Sequence, residues 1–262
     1  MIKLIATDMD GTLLNEKGEI NKEFIEVFNK LKEKNIIFCA ASGRQYYNLL
    51  EKFDETKEDM LFIAENGSYV GYKGEEVFSK TLSLDLAKEF LEVTRGIEEA
   101  YPVYCGKRCA YIENDDKRLI KEIEKYYAEY QIVDDLSKID DEILKFTICD
   151  FISSEKNSFK NFKKYMDVAK VTVSGEIWLD ICDKEVNKGI AIQKVQEKFN
   201  ITKEETMVFG DYLNDVELLQ NAGYSFAMEN AHEDLKKIAK YRAKSNIENG
   251  VLEAIKEYVL NS

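Results

Sequence analysis

Short, unbroken apolar runs stand at both ends of the chain: IKLIATD (2–8), NIIFCAAS (35–42), MLFIAEN (60–66), TMVFGD (206–211) and YSFAME (224–229). They are too short for typical helices and show no polar alternation, which predicts strands buried on both faces of a parallel sheet. Between them, NKEFIEVFNKLKEK (21–34), KGIAIQKVQEKF (188–199) and DLKKIAKY (234–241) carry apolar residues at helical spacing. One apolar stripe per helix suits crossovers that cover such a sheet.

The middle of the chain reads differently. YPVYCGKRCAYIE (101–113) predicts strand, turn, strand, and ILKFTICDFI (143–152), AKVTVSG (169–175) and EIWLDIC (176–182) predict further strands. A charged helix, DKRLIKEIEKYYAEY (116–130), separates them. The expected organisation is an α/β, Rossmann-like parallel-sheet core over 1–81 and 186–262, interrupted by an inserted α+β domain over 82–185. SKTLS (79–83) and CDKEVNKG (182–189) would be the linkers. They contain no Pro, and neither forms a Gly/Ser-rich spacer, so both should be short hinges.

At 262 residues, 45% hydrophobic and 33% charged, the composition is that of an ordinary globular protein. No apolar run approaches the roughly 18 residues of a membrane helix, and the N-terminus lacks the pattern of a secretory signal, so a cytoplasmic protein is expected. A net charge of −13 argues against nucleic acid or an anionic membrane as partner. The five cysteines are odd in number and scattered, which suggests free thiols. CGKRC (105–109) has no second Cys or His pair to complete a zinc site. His232 is the only histidine, leaving little material for His-based catalysis.

Chemistry gathers at the strand ends, the edge where open α/β sheets bind ligands. Asp8 and Asp10 lie two apart, on one side of an extended chain, and Gly11 permits a sharp turn. Ser42 and Gly43 end the second run, offering a hydroxyl and an approachable amide. Asp211 ends the fourth run, with Asn214 and Asp215 one turn later. A phosphate dianion about 4 Å from a bare carboxylate would meet roughly 8 kcal/mol of repulsion at an effective dielectric near 20. A divalent cation removes that barrier, and a donor set of carboxylate oxygens without His or Cys suits Mg²⁺.

DMDGT (8–12), SGR (42–44), NKG (187–189) and GDYLND (210–215), in this order, resemble the four motifs of the haloacid dehalogenase superfamily. The insertion between the second and third resembles the large α/β cap of the Cof-type phosphatases. The resemblance spans the whole chain. It implies a Mg²⁺-dependent phosphatase of small phosphorylated metabolites that forms an aspartyl-phosphate on Asp8. Asp10 would be the general acid and base. Lys188, Ser42 and Asn214, with the amides of Met9 and Gly43, would hold the phosphoryl oxygens. Asp8, Asp10, Asp211 and Asp215 would form the metal site, Asp215 either directly or by orienting a metal-bound water or Lys188. Arg44 would line the entrance or remain a helix-surface residue, and the segment ENG (65–67) would belong to the rim or the hinge.

The expected substrate is a small phosphate ester. Sugar phosphates are favoured, with flavin mononucleotide and pyridoxal phosphate as further options, for a monomer or small homo-oligomer. A sugar phosphomutase and a non-catalytic phospho-acceptor or binding protein are the alternatives.

Overall fold

The central strands of the core are built from residues that face inward on both sides of the sheet: all four residues of the first, Leu4–Thr7, are buried, as are all of Leu61–Ala64 and Thr206–Gly210. The structure, a computed structural model, describes residues 1–261. Along the chain run β1 (Leu4–Thr7), α1 (Phe24–Glu33), β2 (Ile37–Ala41), α2 (Tyr46–Lys52), β3 (Leu61–Ala64), β4 (Tyr69–Tyr72), β5 (Glu75–Ser79), α3 (Leu84–Arg95), β6 (Ala100–Gly106), β7 (Ala110–Ile112), α4 (Lys117–Tyr126) and β8 (Tyr130–Ile132). There follow β9 (Ile143–Asp150), α5 (Phe159–Phe162), β10 (Ala169–Val173), β11 (Trp178–Asp183), α6 (Lys188–Phe199), β12 (Thr206–Gly210), α7 (Val216–Gln220), β13 (Tyr224–Met228), α8 (Glu233–Ile238), β14 (Tyr241–Ala243) and α9 (Gly250–Ile255). Two units result. The first holds Met1–Gly43, Phe53–Phe78 and the chain from Asn187 onward; the second holds Arg44–Lys52 and Ser79–Val186.

The first unit carries a sheet of order β14-β13-β12-β1-β2-β3-β4-β5. From β14 to β3 all pairings are parallel, and β4 runs antiparallel to β3. Helix α1 buries Phe24, Val27, Phe28 and Leu31, a stripe at helical spacing, with the Phe24 ring edge-on to Phe38 of β2 at 5.2 Å. Strand β1 has β2 on one side and β12 on the other, so the chain winds outward in both directions from it. That reversal opens a crevice at the carboxyl ends of β1, β2 and β12, where Asp8, Ser42 and Asp211 follow.

The second unit is an α+β layer with strand order β10-β11-β9-β6-β7-β8, antiparallel except for β7 with β8. One face packs Phe90 of α3 against Phe146 and Tyr165; the other packs Leu119 and Ile123 of α4 against Val103, Cys105 and Ile112. Tyr104 and Tyr111 belong to the first of these cores. Lys80 pairs with Glu185 at 2.8 Å, tying together the two connections expected to act as linkers. Cys39, Cys105, Cys109, Cys149 and Cys182 are free and buried. Among the described residues no helix is long and apolar enough to cross a membrane.

Three local expectations change. The helix expected over 116–130 stops at Tyr126, and Tyr130–Ile132 become β8 alongside β7. The helix expected over 234–241 stops at Ile238, and Tyr241–Ala243 become edge strand β14. In both cases pairing with the preceding strand, as in Ala110 with Tyr130 and Phe226 with Tyr241, overrides the local helical pattern. Residues 44–52, expected in the core, group with the second unit. The Gln45 carboxamide donates to the carbonyl of Glu129 (2.9 Å) and accepts from its N–H (3.2 Å), and the Tyr47 hydroxyl donates to the Lys107 carbonyl.

Candidate active site

The Asp8 N–H donates to Phe209 of β12 at 3.0 Å, which extends the β1–β12 ladder by one residue before the chain turns. Residues 9–13 form a wide turn closed by Leu13 N–H to Asp8 carbonyl and Leu14 N–H to Met9 carbonyl. Gly11 has φ +80°, and a Cβ there would lie 2.2 Å from Asp211 Oδ2. Only glycine gives both the left-handed backbone and that close approach. Thr12 Oγ1 donates to Asp211 Oδ1 at 3.1 Å, while Asn230 donates to the Gly11 carbonyl, bracing the turn from β13's side of the sheet.

Lys188 opens α6, whose first turn is capped by Asn187: its side-chain oxygen accepts from the Ile190 N–H at 2.8 Å. The Lys188 side chain is fully buried, with Nζ 2.5 Å from Asp8 Oδ1 and 2.7 Å from Asp215 Oδ1. The other Asp215 oxygen accepts from the backbone N–H groups of Asp211 and Tyr212. Two glycines make this packing possible. A Cβ on Gly189 would stand 2.5 Å from Glu217 of α7, and one on Gly210 would stand 2.6 Å from the Asp215 Cβ.

Asp8, Asp211 and Asp215 therefore offer one carboxylate oxygen each, all within 4.8 Å of one another. Hard oxygen donors at this spacing, with no sulfur or imidazole among them, fit a divalent cation of the magnesium type.

Burial raises the Asp8 carboxyl to about 8, against the pull of the Lys188 ammonium and with added repulsion from Asp215 and Asp211. Asp211 rises to about 6, through burial and then the neighbouring Asp215. Burial alone would lower Lys188, but Asp215 and Asp8 outweigh it and hold the ammonium charged. The difference between the two partners has a simple cause: Lys188 faces two carboxylates, whereas Asp8 faces one cation and two acidic neighbours. The expectation that Asp8 is a carboxylate at neutral pH thus needs further positive charge, which a bound divalent cation supplies.

A pH dependence follows. Unfolded carboxyls titrate near 4, so between about pH 4 and 8 the native protein binds more protons at Asp8 and Asp211 than the unfolded chain does. That contribution to stability is complete below pH 4 and is lost by pH 8. Thermal melts in EDTA should show a falling midpoint over this range, with a shallower slope for Asp8→Asn, and the increment from added magnesium chloride should grow with pH. Equal slopes for the two proteins would contradict the assignment.

The remaining expected residues are distributed as follows. Ser42 is buried at the end of β2, its N–H donating to the Ile63 carbonyl of β3, and Gly43 follows it. Met9 is buried in the turn after Asp8, and Asp10 is exposed in the same turn, outside the three-carboxylate cluster. Asn214 is exposed in the short helical turn between Asp211 and Asp215. Arg44 begins the segment that groups with the second unit, where it donates to Asn48 at 3.1 Å and lies 6.0 Å over the Tyr126 ring. Tyr126 in turn packs edge-on against Trp178. Sequence reasoning gave no role to Thr12, Asn187 or Asn230. Asn187 alone had a local signal, a capping residue just before a helical pattern; the others act on partners about 200 positions away.

A family model of haloacid dehalogenase-like hydrolases matches residues 5–255. The chain belongs to this family. It is a haloacid dehalogenase-type phosphatase of the Cof-type branch, an enzyme of phosphoric monoester hydrolysis with a capped α/β core. It is 36% identical over 259 residues to the 5-amino-6-(5-phospho-D-ribitylamino)uracil phosphatase YbjI of Escherichia coli, covering 97% of this chain and 95% of that one. The crystal structure of SMU.1108c from Streptococcus mutans is similar along the full length of both chains, with 32% identity and a TM-score of 0.87. TM0651 from Thermotoga maritima is similar over 98% of this chain and 97% of its own, with 26% identity and a TM-score of 0.87.

Proposed function

We propose that this phosphatase is Mg²⁺-dependent and hydrolyses the phosphate ester at the end of a ribityl chain carried by a pyrimidine or related ring. The observation that carries the chemistry is the buried Lys188 ammonium between Asp8 and Asp215, with the Asp211 oxygen beside them. Asp8 attacks phosphorus, and the bond from phosphorus to the ester oxygen breaks, leaving an aspartyl-phosphate and an alcohol. Asp10, exposed and two residues on, gives its proton to the departing oxygen and then takes one from the water that hydrolyses the acyl-phosphate. Lys188, the Ser42 hydroxyl, Asn214 and the amides of Met9 and Gly43 hold the phosphoryl oxygens. Asp8, the Asp10 carbonyl, Asp211 and Asp215 would hold Mg²⁺, whose charge would offset that of the phosphate dianion.

Support for the substrate comes from relatives. YbjI and the Bacillus subtilis proteins YitU, YcsE and YwtE, at 36%, 24%, 26% and 26% identity, all carry the name 5-amino-6-(5-phospho-D-ribitylamino)uracil phosphatase. Flavin mononucleotide shares the ribityl phosphate and is the natural second substrate. This reading moves the preference away from the hexose or pentose phosphates favoured by the sequence.

The test is phosphate release with magnesium chloride from that ribityl ester, flavin mononucleotide, pyridoxal phosphate and glucose 6-phosphate. The ribityl ester should lead in kcat/KM by at least about tenfold. A leading hexose phosphate would overturn the substrate assignment, and a rearranged sugar phosphate in place of free phosphate would make the enzyme a mutase.

A further inference from the structure

Immediately after β3 the backbone enters a conformation that L-residues seldom take. Glu65 has φ 49°, Asn66 φ 57° and Gly67 φ 104°. Positive φ is uncommon outside glycine; Asn tolerates it better than most residues, and a Glu there stands out. Such outliers persist where surrounding structure over-determines them, often beside a functional site.

Here the surroundings are two of the segments that grip phosphate. On one side, the Asn66 N–H donates to the Ser42 carbonyl at 3.0 Å, and the Asn66 carboxamide lies 3.0 Å from where a Cβ on Gly43 would stand. On the other, the Gly67 backbone rests on the start of α6: a Cβ at 67 would lie 2.4 Å from the Asn187 carbonyl oxygen and 3.1 Å from the Lys188 nitrogen. Glu65 and Gly67 are buried and Asn66 is half-buried. The turn then closes through the antiparallel pairing of Ala64 with Tyr69.

We propose that Asn66 is a positioning residue: its carboxamide fixes the Ser42–Gly43 corner, while Gly67 seats Asn187 and Lys188, so that one strained turn sets the spacing of the two phosphate-binding segments. The inference rests on the roles given above to Ser42 and Lys188. A simple turn residue would owe its importance to the left-handed backbone alone. Asn66→Gly separates the two ideas, since glycine keeps that backbone and its N–H bond to Ser42 and removes only the carboxamide. Asn66→Ala removes the carboxamide and also strains the backbone.

Both variants should lose roughly ten- to a hundredfold in kcat/KM with p-nitrophenyl phosphate and magnesium chloride, the scale of a small misplacement of positioning groups. Both should show a raised inhibition constant for inorganic phosphate, whereas the melting temperature should fall only for Asn66→Ala. Wild-type kinetics in Asn66→Gly would overturn the proposal, as would activity that simply follows the melting temperature across the pair. A wild-type protein that releases no phosphate from any ester would instead overturn the phosphatase reading and this assignment with it.

Discussion

Asp8→Asn should lower turnover of any phosphate monoester by about 10⁴-fold or more while the protein melts at the same temperature or higher. The two halves of this expectation have separate causes. An amide cannot attack phosphorus, and removal of a group that forms a covalent bond usually costs on this scale. The amide has the shape of the carboxyl it replaces, and its oxygen can still accept from Lys188 in place of the 2.5 Å contact. It also removes one negative charge from a buried cluster in which Asp211 and Asp215 already push the Asp8 carboxyl upward. Initial rates and thermal melts on the same preparation check both halves. Activity within tenfold of the wild type would exclude Asp8 as the nucleophile, and a large drop in melting temperature would mean that the lost rate reports unfolding.

Lys188→Ala should damage both function and fold. The side chain is fully buried, and its ammonium is the near neighbour of one oxygen on Asp8 and one on Asp215, which are themselves buried. Removing one partner of a buried ion pair leaves uncompensated charge, at a typical cost of about 3–5 kcal/mol. Loss of a charged donor to the transferring phosphoryl group should lower kcat by a further 10²- to 10³-fold, roughly. Acid reduces the first effect, because Asp8 and Asp211 take up protons below about pH 8 and pH 6. Urea unfolding should therefore show a larger stability loss at pH 8 than at pH 5. A loss under about 1 kcal/mol at pH 8 would mean that Lys188 is not the counter-charge of the cluster.

The same residues show how far the linear chain can be read. DMDGT and GDYLND stand at the ends of apolar runs, and a parallel sheet must deliver those ends to one edge, so Asp8 and Asp211 were legible as neighbours despite a separation of some 200 positions. Lys188 was legible only through its motif. By composition it is one lysine among many, and nothing local says that it will be fully buried. Asn66 had weaker signals still, since its importance lies in backbone angles and in contacts with Ser42 and Gly43 on another strand end, while its neighbour Gly67 meets Asn187 and Lys188 far along the chain.

Taken alone, the amino-acid sequence determined the βαβ pattern of the core, the change of pattern in the middle, the family, and the identity of the acidic groups. These follow from periodicity and from short motifs, which are properties of neighbouring residues. Tertiary structure decided how those groups charge one another: the burial that raises Asp8 and Asp211, the double pairing of Lys188, and the glycine contacts at 11, 189 and 210 that let carboxylates and helices approach. It also decided that residues 44–52 join the second unit and that β8 and β14 are strands. Desolvation, close approach and strand pairing depend on what lies across space from a residue, and a one-dimensional pattern carries no record of that until the chain has folded.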